Sequence, residues 1–161
     1  QLVNNQMPYG RTHIGAGVVG KKVYLSPGRP GRIAGQNPKW SKPKDDVLQQ
    51  FDLTKMDQGE KAWQVMNPLP EYPRTGYIAN FPVVNGKLYY IGGEQPKALS
   101  VVHEFTPDKN GGTWRRVTDY PLPVHGIGPV AVGNKIYVCG GAAGSGINNK
   151  TDKVHVYIID E

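Results

Sequence analysis

Residues 86–93 read Gly-Lys-Leu-Tyr-Tyr-Ile-Gly-Gly, and residues 134–141 read Asn-Lys-Ile-Tyr-Val-Cys-Gly-Gly. A degraded copy, Lys22-Val23-Tyr24-Leu25-Ser26-Pro27-Gly28, lies nearer the start. Each copy follows an apolar run, at 14–19, 78–84 and 127–132, the first and third of them glycine-bearing. After a variable gap comes an apolar stretch that ends in an aromatic, at Val47–Phe51, Val101–Phe105 and Val154–Tyr157. The first two copies then place Trp63 and Trp114 and close with Pro-Leu-Pro at 68–70 and 121–123. A unit of roughly 50 residues repeating in this way points to an array in which each unit is one small sheet.

Strand rules give the shape of one unit. The glycine-bearing run suits an innermost strand, where neighbouring sheets crowd together and larger side chains clash. The Lys-aliphatic-Tyr run is β-branched and aromatic, and its terminal Gly pair permits a tight exit. Asn85-Gly86 and Gly133-Asn134 read as hairpin turns between those two strands. The third strand carries the aromatic and the fourth begins at the Trp, so each unit is a four-stranded antiparallel blade of a propeller-type array.

The pattern resembles the kelch-repeat family, whose blades carry a Gly-Gly pair, a spaced aromatic and a Trp. Here these are Gly92-Gly93 with Phe105 and Trp114, and Gly140-Gly141 with Tyr157. The first repeat departs from the pattern, with Ser26-Pro27-Gly28 in place of the Gly pair and a long insertion after it. The resemblance covers the chain from Met7 to Ile159 and implies an all-β, kelch-type β-propeller with three blades per chain. It leaves function open, because such propellers include both enzymes and binding scaffolds.

The 161 residues divide, on this reading, into one kelch-repeat domain: an outer strand at 1–8, a first blade at 9–70, a second at 71–123 and a third at 124–161. The third unit stops after its third strand. Gln1 to Pro8 align on Trp63 to Pro70, with Val3 on Val65 and Asn5 on Asn67, so the N-terminus is expected to supply a missing outer strand and cover a sheet edge. Three blades are too few to close a ring. Two chains give six, so a homodimer closing a six-bladed propeller is one expectation, and half of a longer chain is the other.

Composition adds modest limits. The chain has 21 Gly and 14 Pro, as many turns require, and a formal net charge of +6, which favours anionic partners. No apolar run is long enough for a membrane-spanning helix, so no membrane insertion is expected. A start at Gln rather than Met reads as processing or fragmentation, and Asn149-Lys150-Thr151 fits the N-glycosylation triplet. Together these lead to an expected secreted location.

The one Cys rules out an internal disulfide. Cys139 aligns with Ile91 and Ser26 and reads as a small thiol buried in a sheet. A galactose-oxidase-like copper enzyme, also a kelch-like propeller, needs a Cys–Tyr link and His ligands. His13, His103, His125 and His155 form no tight ligand pair in the sequence, so no cofactor and no metal are expected. No Gly-x-Ser-x-Gly, His-Glu-x-x-His or phosphate-binding loop is present, and no catalytic residue is assigned. The carboxylates, Glu94, Glu104 and Asp119 among them, are scattered as solvated charge is.

In a four-stranded blade, the segment leading into the first strand and the connection between strands two and three emerge on one face. By resemblance, these two sets line the binding face of kelch propellers. The first set offers Arg11, His13, Arg74, Tyr77 and His125, with Arg11, Arg74 and His125 forming a ring near the channel mouth. The second offers Glu94 and Gln95, the connection from Ala142 to Lys150, and the first-blade insertion, which holds seven Lys or Arg and no acid between Lys21 and Lys44. Within it, Arg29 and Arg32 supply charge and Trp40 a stacking surface for a sulfated or carboxylated sugar. The expected function is therefore a non-enzymatic, lectin-like module for acidic glycans or glycoproteins. A structural, matrix or protein–protein interaction propeller is the alternative. Nucleic acid is not an expected partner, because no recognised nucleic-acid module is present.

Overall fold

The computed structural model describes residues 7–30, 47–70, 80–94, 97–144 and 146–160. Most of the expected outer strand at 1–8 and most of the basic insertion lie outside them. Thirteen strands are described: β1 (Arg11–Thr12), β2 (Ala16–Val19), β3 (Lys22–Leu25), β4 (Arg29–Pro30), β5 (Val47–Asp52), β6 (Trp63–Pro68), β7 (Val83–Val84), β8 (Lys87–Ile91), β9 (Val101–Thr106), β10 (Thr113–Asp119), β11 (Val130–Val132), β12 (Lys135–Cys139) and β13 (Val154–Ile158). Helix among the described residues is confined to two 3₁₀ turns, Leu53–Lys55 and Gly59–Ala62.

The strands form two four-stranded antiparallel sheets, β2-β3-β5-β6 and β7-β8-β9-β10, and one three-stranded sheet, β11-β12-β13. These are the three expected blades, the third with three strands among the described residues. A two-residue ladder, β1 with β4, was not legible in the sequence. The repeat holds in register as well as in sequence. Tyr24 faces Gln50, Tyr89 faces Glu104 and Tyr137 faces Val156 across the corresponding strand pairs.

Alternation along each strand sorts side chains onto two faces. Tyr24, Leu48 and Met66 of the first blade bury against Leu88, Tyr90 and Phe105 of the second. Tyr89, Ile91 and Val102 leave the second blade's other face and bury against Ile136 and Val138 of the third. Each blade thus has a face toward the following blade, marked by the Tyr, and a face toward the preceding one, marked by the aromatic of its third strand.

The crowding expected at the innermost strand is present. Phe81 N–H donates to the Ala16 carbonyl at 3.1 Å, tying β2 to the start of the second blade. A Cβ added to Gly17 would lie 2.2 Å from the Phe81 carbonyl oxygen, so no larger residue fits there. The Gly92-Gly93 pair does more than permit an exit. Both residues have positive φ, Gly93 N–H donates to the Val124 carbonyl at 2.9 Å, and a Cβ on Gly92 would lie 2.1 Å from that same oxygen. The pair lets the backbone leading into the third blade pass directly beneath the second.

Asn67 joins the outer strands. Its side-chain amide donates to the Gly112 carbonyl, its own carbonyl accepts from Trp114 Nε1 at 2.9 Å, and its N–H donates to the Gly111 carbonyl at 2.9 Å. Asn67 thereby clamps β6 to the turn before β10. At the next interface Tyr120 Oη and His155 Nδ1 share a hydrogen bond of 2.8 Å, and burial pushes the Tyr120 hydroxyl up to about 12, so it keeps its proton.

Two expectations are corrected. Cys139 is exposed, because no further sheet covers the outward face of the third blade among the described residues. Glu104 is not a solvated charge: it is buried and accepts from Tyr89 Oη at 2.9 Å, Lys87 Nζ at 3.1 Å and Arg115 Nη2 at 3.2 Å. Burial opposes its charge, but the hydrogen bonds from Arg115, Tyr89 and Lys87 outweigh it and hold the carboxyl below the usual glutamate range.

Because the folded-state pKa of Glu104 is depressed, its contribution is complete above the ordinary glutamate value and fades as pH falls through the folded one. Glu104→Gln should lower stability by about 1–3 kcal/mol at pH 7. That deficit should shrink on acidification toward pH 3. Urea denaturation of both proteins at the two pH values is the measurement, and a deficit that does not change with pH would refute the charged role.

Candidate functional site

The structure brings together three of the residues expected on the loop face. His13 precedes the first blade, Glu94 follows the Gly pair of the second, and His125 leads into the third. All three line one pocket of about 600 Å³, with Gly126, Ala142, Ile147 and Lys150. No single blade builds this pocket, because each contributes a wall.

His125 is pinned by its backbone. It exchanges two hydrogen bonds with Ala142, N–H to carbonyl at 3.0 Å and carbonyl from N–H at 2.9 Å. From Ala142 the chain turns on itself: Ala143 N–H donates to the Asn149 carbonyl at 2.9 Å, and Ala142 pairs with Lys150. The described residues between Ala142 and Lys150 thus form a small hairpin that lines the pocket. His125 Nε2 donates to the Gly144 carbonyl at 2.7 Å, which places its proton on Nε2. Glu94 Oε1 accepts from Gly146 N–H at 2.8 Å. His125 Nε2 and Glu94 Oε1 stand 3.9 Å apart, so each holds the same hairpin from a different blade.

His13 sits in the left-handed region at φ 58°, a conformation that costs a side-chain-bearing residue roughly 1–2 kcal/mol. Its Nδ1 lies 3.0 Å from Thr12 Oγ1, and Thr12 pairs with Arg29 in the β1–β4 ladder. Strained positions of this kind concentrate where a side chain must be aimed. The hairpin opposite presents Ile147, which is 79% exposed, and the exposed Lys150. Asn149, the glycosylation candidate, is exposed on the same hairpin, at φ 54°.

Arg11 is not part of the pocket lining. Its guanidinium lies 5.6 Å from the centroid of the Tyr9 ring and donates to the Gly10 carbonyl at 3.1 Å. Arg32, Trp40, Arg74, Tyr77 and Gln95 lie outside the described residues, as does the Arg29 side chain. The ring of Arg11, Arg74 and His125 is therefore not assembled among the described residues. Ile147 and Lys150 fall in the connection from Ala142 to Lys150 that strand order places on the loop face, though neither was singled out as a site residue. No group of three or more His, Cys, Asp or Glu side chains among the described residues is placed to hold a metal ion.

The family model for the Kelch motif matches residues 123–161, the third blade. A human protein, Kelch repeat and BTB domain-containing protein 12, is 29% identical over 142 residues, covering 79% of this chain and 21% of its own length. The chain thus spans about a fifth of the length of the curated relative it matches.

Glu94→Ala should free the hairpin without touching either inter-blade core. Amide hydrogen exchange at Gly146 should accelerate roughly tenfold, as loss of one charge-assisted hydrogen bond implies. Exchange at Val102, in the second-blade core, should stay unchanged. An unaltered Gly146 rate would remove Glu94 from its role as a staple.

Proposed function

We propose that this kelch-repeat chain is a protein–protein interaction module that grips a segment of a partner protein in the pocket walled by His13, Glu94 and the 142–150 hairpin. The observation that carries the reading is the construction of the pocket. Three blades converge on it, two side chains hold its hairpin in place, and an apolar residue and a cation, Ile147 and Lys150, stand at its rim. A concave, mostly apolar site with a few placed polar groups is the usual form of a recognition pocket. The matching partner segment carries an apolar side chain beside a carboxylate. Loops held on a rigid sheet scaffold commonly carry such recognition. The kelch motif match and the human kelch-repeat relative support this reading at the level of the family.

Recognition of an anionic glycan has less behind it. Lys150 is the one Lys or Arg among the described pocket-lining residues, and the Glu94 carboxylate opposes an anion there. The segment that motivated the glycan expectation, with Arg32 and Trp40, lies outside the described residues. The net charge of +6 supports acidic partners of either kind. An extracellular location is a separate proposal resting on the Asn149 triplet, and a glycosidase-sensitive mass at Asn149 would test it.

Selection of a random dodecapeptide library against the chain tests the pocket. Enriched peptides should pair an apolar anchor with Asp or Glu, and Ile147→Asp with Lys150→Glu should weaken them at least tenfold. Peptides that bind the doubly substituted chain equally well would overturn the assignment. Retention on heparin at physiological salt that survives the same substitutions would favour the glycan reading through another surface.

A further inference from the structure

Two Asn-Gly dipeptides occur in the sequence, Asn85-Gly86 and Asn110-Gly111, and the fold holds them very differently. Asparagine is a labile residue, most of all before glycine, whose nitrogen has no Cβ beside it and can reach the side-chain carbonyl carbon. Asn85-Gly86 is the two-residue hairpin turn between β7 and β8, where Val84 pairs with Lys87. Both turn residues are left-handed, at φ 49° and 73°. That backbone holds the Gly86 nitrogen nearly opposite the Asn85 side chain, so ring closure there requires the hairpin to open.

Asn110-Gly111 lies in the connection between β9 and β10, on the face opposite the pocket. Asn110 is exposed and stands outside the left-handed region. Its N–H donates to Asp108 Oδ1 at 2.6 Å, and Gly112 N–H donates to the same oxygen at 3.0 Å. Gly111 N–H, between them, makes no hydrogen bond among the described residues, and neither does the Asn110 side chain. The attacking nitrogen and the amide it would attack are both unengaged. Nor can the fold replace the glycine with a residue that shields its nitrogen. Gly111 has φ 106°, and a Cβ there would lie 2.9 Å from Asn67 Oδ1. The clamp at Asn67 thus demands, next to Asn110, the residue that makes it labile.

We propose that Asn110 is a site of spontaneous deamidation, and that its conversion loosens the clamp between the first and second blades. The Gly111 nitrogen bonds to Asn110 Cγ and gives up its proton, Nδ2 leaves as ammonia, and a cyclic succinimide remains. Water then adds to one of the two ring carbonyls and opens the ring, to an aspartyl or an isoaspartyl residue. In the isoaspartyl product the main chain runs through Cβ and Cγ of residue 110, which lengthens the loop by one atom. That atom enters between Asp108 and the two carbonyls that Asn67 holds, Gly111 at 2.9 Å and Gly112 at 2.6 Å. The new carboxylate also stands beside Asp108, and the like charges repel. The hydrogen bonds of Asn67 to this loop are therefore the ones lost. The site is independent of the loop-face pocket.

Ageing the native chain, Asn110→Ala and Asn85→Gly in mildly alkaline buffer, with proteolytic fragments weighed at intervals, tests the site. The fragment holding Asn110 should gain the mass of an amide turned to a carboxyl, severalfold faster than the fragment holding Asn85. Asn85→Gly keeps the left-handed turn and should age as the native chain does. Asn110→Ala removes a side chain that holds nothing in the fold, so its stability should start at the native level and not fall with age. In the aged native chain, amide exchange at Asn67 should accelerate roughly tenfold, as loss of a hydrogen bond implies, while exchange at Val102 stays unchanged. An Asn110 fragment that keeps its mass, or converts no faster than that of Asn85, would overturn the site. Full conversion with an unaltered Asn67 rate, or an equal acceleration in aged Asn110→Ala, would overturn the link to the clamp.

Discussion

Every larger feature of this chain depends on one contact made twice: the Tyr-marked face of a sheet laid on the aromatic face of the next. Individually the sheets are thin, with strands of two to seven residues, and none could enclose a core alone. Stacking turns each sheet's two apolar faces into two separate cores, one on either side of the second blade. That arrangement explains why the second blade is the most buried of the three. It also explains why the backbone must come so close at Gly17 and Gly92, since sheets converge toward their innermost strands. A polar clamp lies further out, at Asn67, where the sheets spread and a side chain can reach across the gap, while the Glu104 cluster ties three strands of the second blade to one another.

Much of this architecture was legible because its causes are local. The Lys-aliphatic-Tyr run sets strand and register together: once Tyr89 faces Glu104, Tyr24 and Tyr137 must occupy the same face. Gly17 could be read as an innermost residue because only the missing side chain matters there. Glu104 was misread because its partners are on other strands. Lys87 and Tyr89 lie on β8 and Arg115 on β10, so the ion cluster exists only after the sheet is paired. Cys139 was misread for a different reason. Comparison with Ile91 and Ser26 gave its place in the blade correctly, but burial depends on what lies across the gap.

The candidate site was legible in position and only partly in role. His13, Glu94 and His125 were identified as loop-face residues from the order of strands in a blade. That His125 and Glu94 act as staples was hidden, because their partners are the Gly144 carbonyl and the Gly146 amide. Backbone groups leave no mark in sequence. Strand order put the connection holding Ile147 on the loop face, but not its role: an isolated apolar residue in a glycine-rich connection looks like any other loop residue until the hairpin aims it outward.

The site and the stack are also coupled in energy. The walls of the pocket come from three blades, so a segment bound across His13, Glu94 and His125 contacts all three at once. Such a ligand binds the stacked array and has no site on separated sheets. By mass action it must stabilise the stacking, by RT ln(1 + [L]/Kd). The converse also holds: whatever holds the blades together preserves the spacing on which the pocket depends. Gly93 N–H on the Val124 carbonyl makes this connection directly, because it fixes the second blade to the residue just before His125. A shift between those two blades would separate Glu94 from the hairpin that it holds. The backbone contact that the Gly pair permits is therefore a condition for the site as well as for the fold.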